Sequence, residues 1–370
     1  MTPSLIAPPS LEGFPPELRE ALQDEDVVFA FHGGGPCAGH DRVTGEGGTA
    51  GLTIVICTHR RAAILARFLE SLRRQDEFPQ AVVIVDASPD DETQRLISED
   101  PAVLDSLPYC FLYLRVRGRW KGLTRQRNYA VRWVSTDLLV FFDDDVVLMP
   151  GCLAEMVRIH RELGLRVVGV GAVVHNDGPV PRARPLWRLR RRLRIVTSLD
   201  PGRYSRSGMS TPWGALPVET APLEGDWLPG CGMMWKTATV AELGFNDAFE
   251  GYSLGEDVDF SLRARQKGKL IMAPRARLQH LQPVGGRPDG FQLGYFTIYN
   301  RYQVHRRGLP DRGWRDVAAF AYGWSLDSLL LLRHLAFPRR ARPIFNQLRG
   351  RLRAVTDLVR AKLRKVPGGD

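Results

Sequence analysis

The sequence is short of the features that would place a chain outside a reducing compartment or across a membrane. Five cysteines occur in 370 residues, scattered at Cys37, Cys57, Cys110, Cys152 and Cys231. None pairs as C-x-x-C, which argues against a zinc site or a disulfide framework and suits a reducing cytoplasm. No run of about 18 uncharged apolar residues occurs, so no spanning helix is expected. The opening MTPSLIAPPSLEGFPPEL has neither the basic start nor the apolar core of a signal peptide. No internal repeat is found, and the arginine runs lack interleaved aromatic platforms, which argues against nucleic acid as a partner. Acids are nearly missing from two stretches. RARPLWRLRRRLR (182–194) holds seven arginines and no acid, and the segment from Arg333 onward holds eleven Lys/Arg against Asp357 and Asp370. Much of the net +10 charge is therefore concentrated in two segments, a pattern suited to an anionic membrane surface or to a solvated helix face.

What is present begins in earnest at residue 52. LTIVICT reads as a continuous apolar strand with two threonines, buried on both faces by its composition. A helix over 61–74 follows, with Ile64, Leu65, Phe68, Leu69 and Leu72 at helical spacing. AVVIVDAS (81–88) is a second strand, with Ser88 as an N-cap and Pro89 opening a helix. YCFLYLRV (109–116) is a strand, 124–134 a helix, DLLVFFDDD (137–145) a strand, and Pro150 opens a helix to about Leu163. RVVGVGAVVH (166–175) is a strand, 256–267 a helix and 269–273 a strand. Residues 1–50 are Pro- and Gly-rich, with a short strand at 26–35. This alternation predicts an α/β fold with a mostly parallel sheet covered on both sides and a ligand at the carboxyl ends of its strands.

Thr58, Asp86 and Asp143–Asp145 all fall at such ends. Three adjacent carboxylates after LLVFF repel one another at the mouth of a buried strand. Hard divalent cations, Mg²⁺ or Mn²⁺, bind through carboxylates together with substrate phosphates, and such an ion would make the crowding tolerable.

TIVICTHRR, VVIVDAS, GLTRQRNYAV, FFDDDVVLMP, WLPGCGMMWK and GYSLGEDVDFSLRARQKG, in that order across 52–282, resemble a family 2 glycosyltransferase of the GT-A fold. The resemblance implies a nucleotide-diphosphate sugar donor held by Thr58, Arg60 and Asp86 at the base, with Gly122, Arg127 and Asn128 closing over it. Where the family often has a second acid after that aspartate, this chain has Ala87. It gives Asp145 and Asp143 the metal, completed by His280, and places Asp144 near the ribose. Asp257 is implied as catalytic base, beside Glu256. Asp226, Trp227 and Gly230 are implied acceptor contacts, with Trp227 offering a flat apolar face. The chemistry agrees: a departing diphosphate needs a cation, and an attacking hydroxyl needs a carboxylate on the opposite side of the sugar, which inverts the anomeric carbon.

The implied organisation is an N-terminal extension (1–50), a GT-A domain (51–290, divided at 150 into nucleotide and acceptor halves) and a helical basic region (291–370). Within RDVAAFAYGWSLDSLLLLRHLAF (315–337), Asp316, Asp327 and His334 fall on one face at about 100° per residue. Two readings follow: a helix packed on the domain, or an interfacial helix holding a cytoplasmic enzyme at the inner face of the membrane. The acceptor is expected to be a saccharide or a lipid-linked saccharide. A polyprenyl phosphate acceptor, as in dolichyl-phosphate synthases, a basic binding protein and an inactive scaffold are the rivals.

Overall fold

The computed structural model describes residues 24, 26–34, 51–98, 109–249, 253–282, 288–309, 311–332 and 338–363. In chain order its elements are β1 (Val27–Gly34), β2 (Leu52–Thr58), α1 (Ala62–Arg73), β3 (Ala81–Asp86), α2 (Glu92–Ser98), β4 (Cys110–Val116), α3 (Leu123–Val131), β5 (Leu138–Asp143), β6 (Val146–Leu148), α4 (Cys152–Leu163), β7 (Val167–Val174), α5 (Pro185–Arg192), β8 (Leu223–Gly225), β9 (Gly232–Lys236), α6 (Thr237–Leu243), α7 (Glu256–Ala264), β10 (Lys269–His280), α8 (Gly290–Gly308), α9 (Trp314–Leu332) and α10 (Pro338–Leu363).

The strands form one sheet in the order β1-β4-β3-β2-β5-β9-β7-β10-β6, with β8 paired to β10. The centre, β4-β3-β2-β5, is parallel. Strand order reverses between β3-β2 and β2-β5, and that switch opens a crevice at the carboxyl ends. Antiparallel β9 then separates β5 from the parallel pair β7 and β10.

Both faces of the sheet are covered, which is why β2 is apolar but for Thr53 and Thr58, whose hydroxyls are hydrogen-bonded to Thr136 and Asp144. Ile54 and Ile56 pack with Phe68 and Leu72 of α1 and Met156 of α4. Val55 points the other way, into a cluster with Tyr129 of α3 and Phe260 of α7. A third cluster joins Trp187, Ile195 and Met209 to Ile298 of α8, Phe320 and Trp324 of α9 and Ala354 of α10. The aperiodic stretch after β7 is thus packed under the C-terminal helices.

Some expectations shift. The helix after β3 begins at Glu92, because the Ser88 amide and hydroxyl both donate to the Asp86 carboxylate instead of capping a helix. The late strand runs on to His280, passing a register break between Ala273 and Arg277 in its pairing with β7. Cys110 is disulfide-bonded, with its partner outside the described residues, while Cys57, Cys152 and Cys231 are free. The expectation that the scattered cysteines form no disulfide framework is corrected at this one position. Pairing of β1 with β4 sets Gly34 opposite Cys110, a juxtaposition no cysteine spacing could reveal. Among the described residues, no helix is long and apolar enough to cross a membrane. His334 lies outside the described residues.

Candidate active site

Asp143 is the last residue of β5, and the chain turns through Asp144 and Asp145 into β6. β6 pairs antiparallel with the end of β10, setting His280 opposite Val146. The Leu281 amide donates to the Asp145 carbonyl at 2.8 Å, locking this edge. One ligand atom each from Asp143, Asp145 and His280 then lies within 4.8 Å of the others. His280 Nε2 is 3.0 Å from Asp145 Oδ1, an ion-pair distance without hydrogen-bond geometry, so that buried oxygen has no donor. An orphaned carboxylate oxygen facing an imidazole and a second carboxylate is a donor set that fits a divalent cation. Burial pushes the Asp145 carboxyl upward, but His280 and Arg61 outweigh it and hold it below the usual carboxylate range.

Asp144 has different company. It is buried, accepts from Thr58 Oγ1 at 2.7 Å and from Arg61 Nη1 at 2.9 Å. Arg61 also reaches Asp145 Oδ2 at 3.3 Å. Burial raises the Asp144 carboxyl to about 6 against the pull of Arg61 and Thr58. The arginine at the acids is therefore Arg61. Arg60 is exposed, with φ of 56°, and its backbone amide donates to Ser88 Oγ. Asp86 is fully buried and accepts from Ser88 and from the Tyr113 hydroxyl, the latter at 2.8 Å. Gln126 lies outside the set of residues the motifs single out; its amide donates to the carbonyls of Thr58 and Val85, tying the ends of β2 and β3.

Arg127 links the two halves of the site. It is 1% exposed and donates to Glu256 Oε1 (2.9 Å), Asp143 Oδ1 (3.2 Å) and the Gly230 carbonyl (2.9 Å). Its guanidinium lies over Phe141 and Phe245, about 5 Å from each ring centre. Burial opposes its charge, yet Glu256 and Asp143 more than restore it. Gly230 in turn donates its amide to Asp257 Oδ2 at 3.1 Å. A Cβ there would meet Glu256 Oε1 at 2.8 Å, so the Pro-Gly turn needs its glycine for close approach.

Asp257, on the first turn of α7, also accepts from the Val258 amide at 2.8 Å. Burial raises both Glu256 and Asp257, each further raised by nearby acids. Asp257 faces a cavity of about 150 Å³, lined also by Tyr204, Ser210, Trp227, Leu254 and Arg301.

Two further expected contact residues are held by neighbouring loops. Asn128 exchanges hydrogen bonds with Phe245 and Asp247, and Asp226 holds the Tyr204 amide, Arg203 and Arg265. Both serve as loop anchors in these contacts. Gly122 precedes α3 with φ of 118°, and nothing lies within 4 Å of where a Cβ would stand.

Residues 53–211 match the sequence pattern of Glycosyl transferase family 2. The chain carries a family 2 glycosyltransferase domain. Two solved structures share its GT-A fold. A mannosyltransferase from Pyrobaculum calidifontis, solved with GDP-Man and Mn²⁺, is 15% identical, covers 84% of this chain and 88% of its own, and has a TM-score of 0.50. GalNAc-T7, solved with UDP, GalNAc and Mn²⁺, is 17% identical over 70% of this chain and 48% of its own, with a TM-score of 0.52. No curated protein sequence matches the chain. The glycosyltransferase sheet accounts for the placement above, since Thr58, Asp86 and Asp143 all end parallel strands at its switch point.

Proposed function

We infer that this glycosyltransferase moves a sugar from a nucleotide-diphosphate donor to the hydroxyl of a saccharide or lipid-linked saccharide, with a divalent cation and with inversion. One observation carries the reading. A cation-ready triad and a cavity-facing carboxylate are bridged by a single buried arginine, Arg127, through Asp143 and Gly230. The nucleotides and Mn²⁺ in the two fold relatives support the same assignment.

In this reading Asp143, Asp145 and His280 hold the cation, which when bound neutralises charge on the departing diphosphate. The imidazole in the donor set favours Mn²⁺ over the more oxygen-selective Mg²⁺. Thr58, Asp144 and Arg61 form the donor floor. Asp86, being buried, supports that floor through Ser88, while Arg60 and Gly122 stand at its open side. Asp257 takes the proton of the acceptor hydroxyl. The hydroxyl oxygen bonds to the anomeric carbon as the carbon–oxygen bond to the diphosphate breaks, its electron pair leaving with the phosphate. A raised carboxyl suits a general base near neutral pH. Glu256 and Arg127 position it, and Trp227 offers its ring to the acceptor.

Location belongs to the same reading. The Asp316 and Asp327 stripe of α9 turns inward, where Arg206, Arg190 and Arg351 neutralise it. The helix instead exposes Tyr322, Leu329 and Leu332, while α10 exposes Phe345, Leu352, Val355 and Val359. Exposed Arg188, Arg191 and Arg192 of α5 and Arg342, Arg349, Arg353 and Arg360 of α10 supply positive charge. An apolar helical surface with arginines suits an anionic leaflet. A polyprenyl-phosphate acceptor expects a simpler acceptor region than the layer packed beneath α8, α9 and α10.

Asp257→Asn tests the base. Nucleotide binding should persist while transfer drops by about 10²–10⁴-fold; retained turnover would remove Asp257 from the role. The anomeric configuration of the product, read by NMR, should be opposite to that of the donor, and retention would contradict the mechanism.

A further inference from the structure

The cavity beside Asp257 contains a cation that the donor chemistry does not use. Arg301, from the middle of α8, lines it together with Tyr204, Ser210 and Trp227. Among the described residues Arg301 forms no ion pair, and its buried Nε has no hydrogen-bond partner. The buried Tyr204 hydroxyl is likewise without one. Two acids act on Arg301 through space, yet Asp327 is held by Arg190 and Arg351, and Asp257 accepts from the Gly230 and Val258 amides. Arg301 and Arg351 both stack on Trp324, at 5.2 and 5.7 Å from the ring centre. That ring steadies Arg301 without cancelling its charge. Burial lowers the Arg301 pKa, partly offset by Tyr204 and Asp327. A guanidinium and a hydroxyl left unsatisfied at one cavity wall cost stability unless a ligand completes them.

We propose that this cavity takes an acceptor carrying an oxyanion, a phosphate or a carboxylate, which Arg301 and Tyr204 bind while the acceptor hydroxyl faces Asp257. The assignment rests on the transferase reading and adds the acceptor's chemical class. A planar guanidinium matches both oxyanions bidentately, and a hydrogen bond from Tyr204 would satisfy its hydroxyl. A neutral sugar could hydrogen-bond both groups but would leave the guanidinium without a counter-charge, and so would bind more weakly than an oxyanion. With a volume near 150 Å³ the cavity admits the terminal unit of an acceptor.

The test is calorimetric titration of the full chain, loaded with Mn²⁺ and the nucleoside diphosphate that stabilises it, with glucose, glucose 6-phosphate and glucuronate. Both charged probes should bind at least tenfold tighter than glucose, and whichever is tighter identifies the phosphate or the carboxylate source. Arg301→Met should bring both to the level of glucose without changing Mn²⁺–nucleotide affinity, and Tyr204→Phe should weaken both severalfold. Equal binding of neutral and charged probes, no binding of any probe, or a preference that survives Arg301→Met would overturn the proposal. So would a loss of nucleotide affinity in Arg301→Met, which would move the arginine to the donor site. If Arg301→Met loses its native melting transition, Arg301→Lys and Tyr204→Phe decide: a reduced preference supports the assignment and an unchanged one overturns it. Failure of the wild type to bind any Mn²⁺–nucleotide would instead contradict the transferase reading, so the two failures are distinguishable.

Discussion

Arg127 makes three contacts that no lysine could reproduce: a carboxylate on β5, a carbonyl in the Pro-Gly turn and a carboxylate on α7. Its removal leaves Asp143 without its buried cation, and Glu256 and the Gly230 carbonyl without their buried donor. Arg127→Ala should therefore destabilise the chain by about 3–5 kcal/mol, measured by urea unfolding. Arg127→Lys should recover only part, since one ammonium cannot span three acceptors in a fixed fork. The sequence exposed some of these residues and hid others for physical reasons. Three acids after a buried strand are conspicuous, because such crowding needs a cause. The choice between Arg60 and Arg61 was not legible, since adjacent residues entering a helix point in different directions and only the left-handed turn at Arg60 sends Arg61 to the acids. Asp226 and Asn128 look functional by motif, yet their hydrogen bonds hold loops. Arg301 sits in a helix with no surrounding pattern, and only the fold brings it to Asp257.

Between elements, α8 and α10 approach each other closely enough to require glycine on both. A Cβ on Gly294 would fall 2.0 Å from the Gln347 carbonyl, and one on Gly350 would fall 2.0 Å from the Phe291 carbonyl. Backbone cannot yield as a side chain does, so Gly350→Ala should cost about 1–3 kcal/mol or more. Hydrogen exchange should show the lost protection first in α8 and α10. A second element-scale consequence concerns the head of α7. Burial raises Glu256 above the ordinary carboxylate range, with the Asp257 charge adding to it and Arg127 opposing it. The folded state thus keeps a proton that the unfolded chain releases. Stability from this group is fully present below the unfolded value and is lost as pH rises through the folded one. Metal-free protein should lose unfolding free energy from about pH 5 towards 8, and Glu256→Gln should show a shallower slope; an identical slope would contradict the assignment. At this scale the parallel strands were legible from their continuous apolar runs. The antiparallel β6 and β9 and the second half of β10 were not, because their partners are chosen by tertiary pairing.

For the molecule as a whole, the uneven charge has a structural sequel. Part of the basic run at 182–194 is neutralised internally, with Arg182 on Asp200 and Arg190 on Asp327. The rest of its arginines are mostly exposed, and so are Leu329 and Leu352, 58% and 69% accessible. The chain should co-sediment with vesicles containing anionic phospholipid at low salt, and release as ionic strength shortens the screening length to about 3 Å near 1 M. Leu352→Glu should weaken that binding, whereas equal binding to neutral vesicles would count against the charged surface. The α/β class was legible along the chain; the disulfide at Cys110 and the burial of the α9 polar stripe were not, since both depend on segments meeting across the fold. The central claim, however, is that Asp143, Asp145 and His280 grip a cation for a diphosphate. It is tested most directly by melting temperatures across a panel of nucleoside diphosphates, with Mn²⁺ or with a chelator. A rise for one nucleotide that needs Mn²⁺ and vanishes in Asp145→Ala is the expected result. A rise of the same size under chelator, or one that survives in Asp145→Ala, would contradict it.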